Sequence, residues 1–273
     1  MTDPERFLVD LPDMAPDRML EMVGQPGGPL ADAALWQLEV TRAVTLTPSF
    51  RRVVLTAPGI EGLRYLPGQD LMLRVPLGGD RVVNRRYTIR RFDAGERALT
   101  IDVSLHGTGP GTNWISAAHP GDRIDAIVPR GKVTLRPEAD WHLFVVDETG
   151  LPGALAMLET LPAGSAASAV FEIDTAADEQ ELHVPQAELR DVRWLRRDGR
   201  TVPGDPAPMM EAVRDVELST GVGHAYVAAE AGVVRGVSRL LGERGLRPEQ
   251  ISGKAYWRRG LPNAEHGEPT KEG

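Results

Sequence analysis

The sequence predicts a β + α/β protein, an N-terminal antiparallel β-barrel followed by a C-terminal parallel α/β domain. Three observations carry that prediction. Over residues 35–128 short strand-like segments recur between Pro-Gly and Gly-Gly turns, with almost no helical periodicity. After Arg136-Pro137 the pattern changes to short, continuously apolar runs separated by helical stretches, the alternation of a parallel, doubly wound sheet. A length of 273 residues leaves room for two cores of ordinary size.

The elements follow in chain order. Residues 1–34 carry scattered Pro and Gly and weak periodicity, and read as an arm with a short helix around Asp17 to Val23. From Trp36 to Val44 apolar and polar residues alternate as in a half-buried strand. Further strands are expected at Phe50–Thr56, Asp70–Val75, Arg86–Arg91, Leu99–Leu105 and Asp122–Val128, with a short helix over Thr112–Ala118. Together they make residues 35–137 the barrel.

Residues 138–262 read as the α/β domain. Strands are expected at His142–Val146, Ala169–Ile173, Val192–Leu195, His224–Ala228 and Gly253–Arg258. Helices are expected at Pro152–Leu161, with Pro in its first turn, at Pro208–Val216, and at Ala231–Arg244. The last places Val233, Val234, Val237, Leu240 and Leu241 on one face and stops at Gly245. Residues 263–273 are polar and read as a disordered tail.

Composition narrows the chemistry. A net charge of −8 disfavours nucleic acid as a partner. No apolar run reaches the ~20 residues of a membrane span, and the first residues lack the apolar core of a signal peptide, so a cytoplasmic location is expected. With no cysteine there is no disulfide, thiolate nucleophile or Cys-held cluster. The six histidines are scattered without ligand spacing, so no protein metal site is expected. Any redox chemistry then falls to an organic cofactor. Arginines nonetheless concentrate at Arg81, Arg85, Arg86, Arg90 and Arg91, a local basic run that suits an anionic ligand, although solvated strand surface is the plainer reading for each.

Two segments carry specific chemistry. In Arg85-Arg86-Tyr87-Thr88, alternation on a strand puts Arg85 and Tyr87 on one face and Arg86 and Thr88 on the other. An aromatic plane beside a guanidinium suits a flavin, whose ring stacks and whose pyrophosphate needs positive charge. In His106-Gly107-Thr108-Gly109-Pro110-Gly111-Thr112-Asn113-Trp114 a glycine-rich turn opens a helix, presenting unpaired N–H groups to a phosphate. Thr112 could cap that helix or donate to a phosphate oxygen. Either segment alone is weak evidence, and an ordinary strand and an ordinary capped turn would look the same.

In order, these two segments, Gly121-Asp122, Asp147-Glu148-Thr149-Gly150-Leu151-Pro152, Ala229-Glu230 and Tyr256-Trp257-Arg258-Arg259-Gly260 resemble the siderophore-interacting protein family. That family comprises FAD-dependent ferric-siderophore reductases of the ferredoxin-reductase-like superfamily. The resemblance implies a flavin-binding barrel and a nicotinamide-binding α/β domain. It places Arg85 on the FAD phosphates, Tyr87 on the isoalloxazine, Thr88 near its N5, and His106 nearby. Gly109, Gly111 and Thr112 would hold the pyrophosphate. Asp147, Glu148, Thr149 and Glu230 would frame the site for NADH or NADPH at the carboxyl ends of the strands. Tyr87 and Thr88 are the residues expected to touch the reacting atoms. The substrate implied is an anionic ferric siderophore, with Arg86, Arg90, Arg130 and Lys132 as the cations that would collect it. A reductase with another acceptor, or a protein that holds FAD or siderophore without turnover, would carry the same motifs.

Two departures bear on the nucleotide. Ala229 stands where the family usually has glycine, and its methyl is expected to crowd a close backbone approach. No GxGxxG follows Val146, so nicotinamide binding rests on resemblance and topology. Asp174, at the end of the second α/β strand, leans the choice toward NADH.

Overall fold

The computed structural model describes residues 23–25, 33–131 and 133–260. The expected helix at Asp17–Val23, most of the arm, the polar tail and Lys132 therefore lie outside the described residues, with Val23 in a turn. The chain divides into two compact units, one ending at Thr134 and the other beginning at Leu135.

The first unit is an antiparallel sheet of β1 (Ala34–Thr47), β2 (Phe50–Thr56), β3 (Asp70–Gly78), β4 (Arg81–Thr88), β5 (Arg91–Asp93), β6 (Ala98–Ser104) and β7 (Arg123–Arg130). Their order is β4-β3-β7-β1-β2-β6-β5. The two ends of that order, β4 and β5, are consecutive in the chain, separated by Ile89 and Arg90 alone. β4 thus pairs with β3 and, after a two-residue break, β5 pairs with β6, so neighbouring stretches of chain occupy the two ends of the strand order. Leu38, Val40, Val53, Leu55, Leu71, Leu73, Leu99 and Ile101 point inward from alternate positions and fill the interior. Helix α1 (Pro110–Ala117) follows β6 and buries Gly111 and Ile115.

The second unit is a parallel sheet of β8 (Trp141–Val146), β9 (Ala166–Ile173), β10 (Glu188–Arg196), β11 (Gly223–Glu230) and β12 (Ile251–Trp257), in the order β10-β9-β8-β11-β12. Helices α2 (Leu151–Leu158), α3 (Pro206–Arg214) and α4 (Ala231–Glu243) connect the strands. On one face, Leu143, Val145, Ala225, Val227 and Ala229 pack against Met209, Val213, Val233, Val237 and Leu241 of α3 and α4. The opposite face carries His142, Phe144, His224 and Tyr226, whose rings lie against one another. The strand order reverses between β8 and β11, and the carboxyl ends at such a switch point are where open α/β sheets receive ligands.

Candidate functional site

In the first unit the two motifs meet. Arg85 and Tyr87 extend from β4 toward the start of α1, and the contact is set by Gly111. A Cβ added to Gly111 would fall inside the van der Waals shell of the Tyr87 hydroxyl and 3.0 Å from Arg85 Cγ. Glycine here is required by close approach rather than by backbone angle. Gly109 is the N-cap of α1 and no side chain caps it, so the first-turn N–H groups remain available to an anion. Thr112 lies within that first turn at its third position and does not cap the helix, which corrects the capping role considered above. Burial raises the Tyr87 phenol above its ordinary pKa against the opposing pull of Arg85, so it stays a neutral hydrogen-bond donor. Thr88 is buried, and Arg85 donates from Nη1 to the Asn84 carbonyl at 2.8 Å. His106 stands exposed in the loop after β6, with its Nδ1 3.0 Å from Ser104 Oγ.

The expected siderophore-collecting cations do not share one centre. Arg86 is bound to the buried Asp70, with Nη2 donating to Oδ2 at 2.6 Å. Arg130 pairs in register with Asp70 and is buried, its Nη1 2.7 Å from Met72 Sδ. Arg90 lies 3.6 Å from Asp102, a buried carboxylate that Arg52 grips at 2.6 and 2.7 Å. Sequence reasoning singled out neither Asp70 nor Asp102, because nothing local separates a buried strand carboxylate from a solvated one.

In the second unit, Asp147 follows β8 and accepts from five donors. Its Oδ1 takes the Thr149 N–H at 2.8 Å, the Thr149 hydroxyl at 2.5 Å and the Gly150 N–H at 3.3 Å. Its Oδ2 takes the Glu230 N–H at 3.0 Å and the Trp257 indole at 2.8 Å. Burial and Glu148 push its pKa up to about 7, opposed by the bonds from Thr149 and Trp257. Glu148 is paired with Arg197 at 2.6 and 2.9 Å, and Arg197 also meets Glu172 at 3.0 Å. Arg197 thus reaches from β10 across β9 to the end of β8, a role no sequence motif announced. Glu230 caps α4, accepting from the Gly232 and Val233 N–H groups, and accepts the Arg259 N–H at 3.1 Å. Asp147, Thr149 and Glu230 are therefore one hydrogen-bonded clasp over the ends of β8, β11 and β12.

The departure at Ala229 acts differently from expectation. Its methyl is fully buried in the core with the apolar residues of α3 and α4. Close approach falls instead at Gly150, where an added Cβ would collide with the Ala228 carbonyl oxygen and lie 2.9 Å from Ala228 Cβ. Among the described residues no cluster of three His, Cys, Asp or Glu could hold a metal, and no helix is long and apolar enough to cross a membrane.

Residues 139–260 match the siderophore-interacting protein family model, and residues 67–133 match the siderophore-interacting FAD-binding domain. A crystal structure of a siderophore utilization protein from T. fusca superposes with a TM-score of 0.75 at 36% identity, covering 86% of this chain and 97% of that one. An uncharacterized protein of Mycobacterium tuberculosis is 36% identical over 64% of this chain, and the match spans 65% of that relative's length. The ferric vibriobactin reductase ViuB of Vibrio cholerae is 28% identical, covering 82% of this chain and 89% of the reductase. The NADPH-dependent ferric-chelate reductase of Escherichia coli is 24% identical, covering 83% and 94%. Fold and motifs define a two-unit protein whose N-terminal unit carries an FAD-binding domain. Within that class, the chain belongs to the siderophore-interacting protein family.

Proposed function

We propose that this chain is an FAD-dependent NAD(P)H oxidoreductase that reduces ferric siderophores and releases ferrous iron. The observation that carries the reading is the approach of Arg85 and Tyr87 to Gly111, which joins the aromatic-guanidinium pair to an uncapped helix start. A guanidinium, an aromatic ring and free N–H groups at one place fit a flavin dinucleotide. Arg85 and the first turn of α1 would hold its pyrophosphate, Tyr87 its ring, and Thr88 would donate near the reacting end. FAD, when bound, supplies the conversion between a two-electron donor and one-electron acceptors. The overall reaction balances with one NAD(P)H and two ferric ions giving NAD(P)⁺, one proton and two ferrous ions.

The acceptor belongs to the substrate side of that balance. Ferric iron is held by anionic oxygens, and reduction weakens the hold. Of the cations expected to meet such a complex, Arg90 has the best support, because it and Arg52 place two positive charges against the single Asp102. Arg86 and Arg130 would serve in the same way around Asp70, with Lys132 two residues beyond Arg130 in sequence.

Titration of the apoprotein with FAD, followed by flavin fluorescence, tests the cofactor part. Arg85→Ala should weaken FAD binding by a few kcal/mol, the cost of a lost charge-assisted contact. Arg136→Ala, outside both motifs, should leave it unchanged. Equal losses in the two variants, or no binding by the unaltered protein, would reject the site.

A further inference from the structure

A half-exposed carboxylate beside a sequestered arginine stands at the carboxyl end of β9. Asp174 directly follows β9, one strand away from the switch point between β8 and β11. In the Rossmann dinucleotide fold an acidic residue near this strand end meets the adenosine ribose, where a carboxylate accepts from a 2′-hydroxyl and disfavours a 2′-phosphate, and Asp174 holds the corresponding place in the strand order. The cation beside it is Arg197, whose Nε lies 3.7 Å from Asp174 Oδ1. Arg197 is already committed, its two terminal nitrogens bonded to Glu148 and one of them also to Glu172, with 6% of its side chain exposed. Asp174 leaves 52% of its side chain open to solvent. Arg196, the next cation along β10, is engaged by Glu179 at 2.6 Å.

We infer that Asp174, backed by the sequestration of Arg197, makes this chain select NADH over NADPH. The inference rests on the nicotinamide-reductase reading above. A 2′-phosphate would add a group of nearly two negative charges beside Asp174, Glu148 and Glu172, which share the one guanidinium of Arg197. A ribose diol adds none and offers two donors to the Asp174 carboxylate. Asp174 acts on the choice of nucleotide and takes no part in electron transfer.

The experiment compares two probes on the FAD-loaded full chain, 5′-AMP and adenosine 2′,5′-bisphosphate, by titration calorimetry. In parallel, stopped-flow absorbance follows flavin reduction by NADH and by NADPH. The unaltered protein should bind 5′-AMP about tenfold or more tightly than the bisphosphate, and NADH should be preferred to a similar degree. Asp174→Asn keeps the shape and an acceptor while removing the charge, so it should bring the two probes to within a few-fold mainly by improving the bisphosphate. Circular dichroism of that variant checks that the fold is retained, and Asp174→Ser provides a second neutral replacement. Equal or better binding of the bisphosphate by the unaltered protein overturns the inference. So does a preference that neither neutral variant changes, or failure of both probes to bind. If 5′-AMP is preferred but neither nucleotide reduces the flavin, the selectivity stands and the nicotinamide-reductase reading fails.

Discussion

Gly111 concentrates the argument at the scale of single residues. Near the start of a helix an alanine is normally favoured over glycine by roughly 0.5–1 kcal/mol. Here the added methyl would push against the Tyr87 hydroxyl and Arg85. Gly111→Ala should therefore reduce FAD affinity about tenfold or more, a typical consequence of misplacing two contacts, with little loss of thermal stability. Flavin fluorescence titration beside a melting curve checks this, and unchanged affinity would contradict it. The motif made Gly111 visible in the sequence, but the partner it admits became visible only in the fold. Thr112 shows the limit of local reading, since the helix begins at Pro110 and threonine falls inside the first turn. Ala229 shows another limit. Alternation along β11 sends its methyl into the core, and the neighbouring Ala228 faces Gly150.

Elements were legible where periodicity or turn chemistry was strong. The apolar face of α4 and the continuous runs of β8 and β11 define themselves, because burial on one stripe or on both faces leaves a direct mark in sequence. The run around Arg86 was harder. The sequence suggested one strand over Arg86–Arg91, whereas β4 begins at Arg81 and the run breaks before β5. The reason is the tight hairpin at Gly79-Asp80, where positive φ at Gly78 and Gly79 turns the chain and keeps β3 and β4 paired up to Gly78 and Arg81. Arg197 was illegible, because a charged run at a strand end looks the same whether solvated or buried. Its three-strand bridge predicts a large effect. Arg197→Ala leaves Glu148 and Glu172 buried without their cation, a change that costs about 3–5 kcal/mol. Urea denaturation of the α/β transition should register that loss, and a variant of unchanged stability would show that the carboxylates are not held as described.

At the scale of the whole molecule, the face of the second sheet that carries His142 and His224 links stability to pH. The two are register neighbours on β8 and β11, and burial lowers each pKa from 6.5 to about 4. Both are neutral in the fold but bind protons in the unfolded chain at higher pH. Their neutral burial therefore stabilises fully above pH 6.5, and that contribution is lost as pH falls from 6.5 through 4. Asp147, raised to about 7, acts in the opposite sense, so the histidines are isolated by difference. The stability of the unaltered protein relative to His142→Gln/His224→Gln should fall on acidification from pH 6.5 to 4, and a constant difference would contradict the assignment. The succession of an antiparallel and a parallel sheet and the family were legible from ordered motifs, while the acceptor was not, because the arginines proposed to collect it gather around separate carboxylates. The claim that joins every part is electron delivery to chelated ferric iron, and one measurement reaches it directly. The FAD-loaded protein is reduced anaerobically and mixed in a stopped-flow instrument with ferric catecholate, hydroxamate or citrate complexes, a ferrous chelator trapping the product. The account predicts that at least one complex reoxidises the bound flavin faster than it reoxidises free reduced FAD, with two ferrous ions trapped per flavin and a rate that falls as salt screens the arginines. Reoxidation no faster than that of free reduced FAD by all three classes would contradict it.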